Sequence, residues 1–172
     1  MTRSILMGLG LLVPGVAAAN GGVLVGQRVA VGVAADGSLC DQARRACISY
    51  DPDGPSGDTP LGTDLLLPGR PFETWSASWF GGGGERLVRA TAPDGGVGVD
   101  LTWDPPAASE DLLTLHGEGD LGDLLVTIDV DVPVNDDVFW VTTTFEATTR
   151  VTGLQVARSV NSDADIFANG SF

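Results

Sequence analysis

The sequence predicts an all-β protein, an antiparallel two-sheet β-sandwich with Greek-key or meander connections. Three observations predict it. Apolar and polar residues alternate with a period of two through most of the chain, as they do where successive side chains point to opposite faces of a half-buried sheet. Glycine is abundant, at 24 of 172 residues, and turn-forming clusters separate short runs rich in β-branched and aromatic residues. Capped helix-period stretches are nearly absent, with residues 41–46 amounting to a single turn.

A chain of 172 residues suits one domain with a real core. Its hydrophobic content of 43% is that of a chain able to fold, which sets it apart from disordered sequences. All nine basic residues are arginines, and the formal net charge is −14. Nucleic acid and anionic membrane would be repelled by such a chain; a cation would not.

Residues 1–19 read as a Sec-type signal peptide. Arg3 supplies the positive start, Ile5 to Val16 the apolar run, and Ala17-Ala18-Ala19 the small-residue cleavage site. The apolar run is short and broken by Gly8, Gly10, Pro14 and Gly15, so it does not read as a transmembrane helix. A secreted, periplasmic or cell-surface location is expected. A β-sandwich domain then occupies residues 20–172. A lone arginine before the apolar run gives no twin-arginine signal, and Asn20 after the cut gives no lipoprotein cysteine.

Val23, Val25, Val29, Val31 and Val33 alternate against Arg28, Ala30 and Gly32, which predicts a first strand ending at the turn Ala35-Asp36-Gly37-Ser38. Cys40 and Cys47, the only cysteines, predict one disulfide in an exported protein. A helix would hold them about 10 Å apart along its axis, so a loop or hairpin is expected there. Closing that loop would stabilise the fold by roughly 2.5 kcal/mol in the chain-entropy model.

Prolines, glycines and aspartates crowd the stretch between Tyr50 and Glu73. Asp51, Asp53 and Asp58 are candidate calcium ligands, since calcium takes carboxylate and carbonyl oxygens. The EF-hand spacing is not met, and Asp-Pro and Asp-Gly are also plain turn formers.

Three strands joined by two glycine turns are expected from Pro71 to Trp103, the stretch that holds three of the four tryptophans. Trp75, Ala77 and Trp79 share one face; Val97, Val99, Leu101 and Trp103 share another. Tryptophans on a β face can also stack on sugar rings, so Trp75, Trp79, Trp103 and Trp140 are candidate ligand-binding residues as well as candidate core.

From Asp104 to Asp123 the sequence reads as a loop with a short strand at Leu112 to Leu115. His116, Glu118 and Asp120 recur at every second residue and form an alternative metal-ligand set, although glycines at 117, 119 and 122 favour a flexible polar turn. Leu124, Val126, Ile128, Val130 and Val132 then make the clearest strand, with Thr127, Asp129 and Asp131 on its other face. A strand rich in β-branched and aromatic residues is then expected from Val138 to Thr149. Leu154, Val156 and Val160 alternate with Gln155, Ala157 and Ser159. Asn169-Gly170 is a strong hairpin signal close to Phe172, which raises the expectation of a further strand beyond it and of a domain truncated at its C-terminus.

YDPDG followed by LLPGRPFETW, together with ARSVNSDAD, resembles segments of uncharacterised secreted bacterial β-sandwich surface proteins. The resemblance implies a sandwich that opens with a Pro-Gly-x-Pro-Phe-Glu turn and closes with an aspartate-rich loop, here Asn161, Asp163 and Asp165. It implies no activity. A larger sandwich of the galactose-mutarotase type is the alternative topology.

Function is read as an exported, non-catalytic envelope or extracellular module for structure or adhesion, needing no cofactor unless calcium. The alternatives are a carbohydrate-binding module and a fragment of a secreted carbohydrate-active enzyme. For the last, Glu73, Glu118 and Asp120 are the carboxylates that hydrolysis would draw on. No Gly-x-Ser-x-Gly, His-Glu-x-x-His or phosphate-binding glycine loop is present. Carbohydrate or another surface protein is the expected partner.

Overall fold

A computed structural model describes residues 21–39, 47–51, 73–90 and 98–160. Among these residues the protein is all-β, with eleven strands in three antiparallel sheets and no helix. No described helix is long and apolar enough to cross a membrane. The expected signal peptide of residues 1–19, Cys40, Asp53, Asp58, Val97 and the expected aspartate-rich loop with Asn161, Asp163 and Asp165 lie outside the described residues.

The expected first strand is two. β1 (Gly22–Val25) and β2 (Val29–Val33) form a hairpin, closed where the Gly26 N–H donates to the Val29 carbonyl at 2.9 Å. The three-residue turn breaks the alternation, so Leu24 is buried while Val25 is 44% exposed. In β2 every residue is buried, because it is the central strand between β1 and β3 (Ile48–Tyr50).

β4 (Glu73–Gly81) and β5 (Gly84–Arg89) form the second hairpin, and β11 (Thr152–Val160) closes their sheet in the order β11-β4-β5. The tryptophan stretch is therefore not one meander. β6 (Thr102–Trp103) belongs to a different sheet, in which β8 (Leu112–Asp120), β9 (Leu124–Pro133) and β10 (Trp140–Ala147) run as a meander, β6 flanks β8, and β7 (Ala107–Ala108) also pairs with β8. β11 then leaves this meander and returns to β4, setting Val160 opposite Glu73.

The run from His116 to Asp120, expected as a turn, is the second half of β8 and pairs with β9 residue by residue. Its glycines serve packing. A Cβ on Gly117 would lie 2.6 Å from the Trp103 ring, and one on Gly119 would lie 2.6 Å from the Leu101 side chain. The bare backbone lets the indole of β6 lie on β8, a close approach that only glycine allows.

One core draws on all three sheets. Trp75, Ala77 and Trp79 of β4, Val31 and Val33 of β2, Leu115 of β8, and Leu124, Val126, Ile128, Val130 and Val132 of β9 are buried together with Val99, Leu101 and Trp103. The arrangement is consistent with a β-sandwich. Contacts between sheets include the Trp75 and Phe145 rings, edge to face at a centroid distance of 6.0 Å, a geometry that aromatic quadrupoles favour.

Candidate functional site

Three of the four candidate tryptophans are core pillars. Trp75, Trp79 and Trp103 are buried, so none is available to stack on a sugar. Their indole N–H groups still need acceptors once removed from water, and two of them find these on one loop. Trp75 donates to the Asp36 carbonyl at 2.8 Å and Trp103 to the Ala35 carbonyl at 3.0 Å. Trp79 donates to Asp123 at 3.3 Å; that bond and one from the Thr149 hydroxyl hold the Asp123 carboxyl below its ordinary range.

The loop between β2 and the residues before Cys40 is pressed into the core. Gly37 has φ of +80°, a left-handed conformation that suits glycine, and a Cβ there would meet the Ile128 side chain at 2.4 Å. Asp36 accepts from the backbone and hydroxyl of Ser38 at 3.0 and 2.6 Å. Glu73, fully buried at 0% exposure, accepts from the Leu39 N–H at 2.6 Å and from Arg158 Nε at 2.5 Å. Arg158 also donates to the Gly37 carbonyl at 3.2 Å and to the Thr143 hydroxyl at 3.3 Å. Burial pushes the Glu73 carboxyl up, and the arginine and the Leu39 N–H oppose that push. Glu73 is a buried structural acceptor here, sealed off from any substrate in solution.

The opposite assignment holds for the outer face of the β6-β8-β9-β10 sheet. Cross-strand register sets side chains there in rows: Thr114, Asp131 and Trp140; His116, Asp129 and Thr142; Glu118, Thr127 and Thr144; Asp120, Leu125 and Glu146. Cross-strand neighbours in such rows lie close enough to interact directly. His116 Nδ1 is 2.6 Å from Asp129 and Nε2 is 3.2 Å from Glu118. The two hydrogen bonds, Asp129 first, raise the affinity of His116 for its proton.

Of the alternative metal set, His116 and Glu118 are thus side by side, while Asp120 accepts from the Gly122 N–H at 2.7 Å in the turn to β9. Among the described residues no three His, Cys, Asp or Glu side chains are disposed to hold a metal ion. Asp51, at the end of β3, is the one residue of the calcium set that is described, so that proposal lies largely outside the described residues. Cys47 is buried and is not a free thiol; its expected partner Cys40 is outside them.

An open groove of about 460 Å³ runs along the end of this face, lined by Asp100, Thr102, Glu118, Asp120, Thr127 and Glu146 among others. Trp140, at the far end of the same face, is 53% exposed. The sequence reading gave Arg158 no role and set Asp129 only on the outer face of its strand; their partners, Glu73 and His116, follow from strand neighbours that the local pattern does not record.

Comparison with family models, with curated proteins and with solved structures finds no match.

Proposed function

We propose that the chain is an exported, non-catalytic envelope or extracellular module that works by presenting the outer face of the β6-β8-β9-β10 sheet. The observation that carries this reading is the character of that face. Threonine hydroxyls and carboxylates stand in cross-strand rows on a broad, open surface, which suits spread contact with a partner rather than enclosure of a small substrate. Glu73, one of the three carboxylates that hydrolysis would draw on, is sealed in the core against Arg158.

Two measurements test the reading. Expression from Met1 in a bacterial host with a Sec pathway should give a mature product outside the cytoplasm that begins at Asn20, read by mass spectrometry; an uncleaved cytoplasmic product overturns export. Incubation of that product with a panel of polysaccharides should release no new reducing ends. Release that disappears in Glu118→Gln would replace this reading with a carbohydrate-active enzyme.

A second reading, carbohydrate binding, is favoured by one observation: Trp140 is exposed beside the hydroxyls and carboxylates of this face. A single indole would give weak stacking. Quenching of tryptophan fluorescence by a soluble glycan, abolished in Trp140→Ala, would support it; indifference of the fluorescence across the panel would end it.

A further inference from the structure

We infer that β11 is the contact strand of a two-fold dimer, in which the outer edges of β11 from two copies of this chain pair antiparallel. Three observations on the strand lead there, and charge selects the occupant.

β11 is nine residues long and stands at the end of the order β11-β4-β5, so among the described residues its outer edge has no neighbour. An unpaired row of N–H and C=O groups is a template for another strand, and proteins ordinarily guard such edges with charged side chains or proline. The opposite edge of the same sheet is guarded in this way: β5 carries Glu85, Arg86 and Arg89. β11 has no proline and a single charge, Arg158, and that side chain is turned inward to Glu73, Gly37 and Thr143. A shift of register near Gly153 interrupts only its beginning.

Two apolar side chains of the strand, Leu154 and Val156, are uncovered. Val156 pairs across from the buried Ala77 and so shares its face, yet Val156 is 50% exposed and Leu154 is 41% exposed. The buried face of β4 continues onto β11 without cover. A strand added at the edge would extend that face and shield both residues.

Electrostatics decides what kind of strand this is. β8, β9 and β10 carry Glu118, Asp120, Asp129, Asp131 and Glu146 and no arginine or lysine, so a basic partner is drawn to that sheet. β11 carries no carboxylate, and the one in β4, Glu73, is buried against Arg158. At physiological salt, charges further than about 8 Å from a seam are largely screened. β11 is therefore an edge at which two chains of net charge −14 can meet without setting carboxylates of the strand against one another. Antiparallel pairing about Val156 sets that valine on its own copy and Leu154 beside the aliphatic stem of Arg158 in the second copy. Such an interface is isologous and closes as a dimer.

The test is the mass in solution and a cross-link at the proposed axis. Sedimentation of the purified chain at micromolar concentration should give the dimer mass, and Val156→Lys should weaken association by about tenfold or more with the far-ultraviolet spectrum unchanged. The same change at Val25, an exposed valine of β1, should leave the dimer intact. In antiparallel pairs, opposed Cα atoms lie about 4.5–5.5 Å apart, within disulfide reach. Val156→Cys should therefore give an oxidant-dependent covalent dimer that the native chain, run alongside, does not give. A native chain that stays monomeric at every concentration overturns the proposal. So does a dimer indifferent to Val156→Lys, and if that variant fails to fold, absence of the Val156→Cys cross-link overturns it alone.

Discussion

Glu73 and Arg158 show how one pair of side chains can join distant parts of the chain. Their bond spans 85 residues of sequence, and with the Leu39 N–H and the Gly37 carbonyl it fixes β11, β4 and the loop after β2 to one another. Removing one partner of a buried, hydrogen-bonded pair leaves the other charge without compensation, which costs roughly 3–5 kcal/mol. Arg158→Met is expected to destabilise the fold by about that amount in urea denaturation, and a loss below about 1 kcal/mol would show that water reaches Glu73. His116 makes a different prediction. Its folded-state proton affinity is raised by Asp129 and Glu118, so its share of stability is fully present below the unfolded histidine pKa of about 6.5 and is lost as pH rises through the folded value. His116→Gln should flatten the pH dependence of the melting temperature above pH ~6.5; the half-exposed setting and solvent screening keep the effect small.

At the scale of elements, β8 carries the sharpest contrast between composition and conformation. Three glycines within Gly117–Gly122 and the polar residues between them carry turn chemistry, yet the first two of these glycines sit in a strand because Trp103 and Leu101 occupy the space a side chain would take. Gly117→Val should therefore hurt despite the higher strand propensity of valine, by about 1–3 kcal/mol of overpacking. A variant as stable as the native chain by thermal melting would mean that β6 can lift off β8. β9 behaves as its alternation dictates, with Leu124, Val126, Ile128, Val130 and Val132 all inward. β11 is a strand as its pattern requires, but its Leu154 and Val156 stay uncovered, since alternation reports which side a residue takes and not whether another layer lies on that side.

For the whole molecule, the charge balance has a direct consequence. A net charge of −14 repels itself in the compact state, and among the described residues carboxylates find few cationic partners beyond Arg158 and His116. Raising sodium chloride from ~10 mM to ~150 mM shortens the screening length from about 30 to about 8 Å and should raise the melting temperature by about 2–4 °C, the response to roughly 1 kcal/mol in a chain of this size. A flat or falling melting temperature would mean that the carboxylates are already compensated. The same distribution of charge leaves one sheet acidic outside and the edge of another nearly neutral, and the proposed adhesive face and the proposed dimer seam follow that division.

Local pattern alone determined the class of this protein, because a period of two can be satisfied only by extended chain with one side turned from water. It also determined that Trp75, Ala77 and Trp79 share a face, and that Ile128 and its neighbours share another. Only the tertiary structure decided that three tryptophans are core and Trp140 is surface, that Glu73 is sealed against Arg158, and that Asp129 stands opposite His116. Each of those depends on which strand lies beside or above which, and strand neighbours are set by contacts across tens of residues that no local period records.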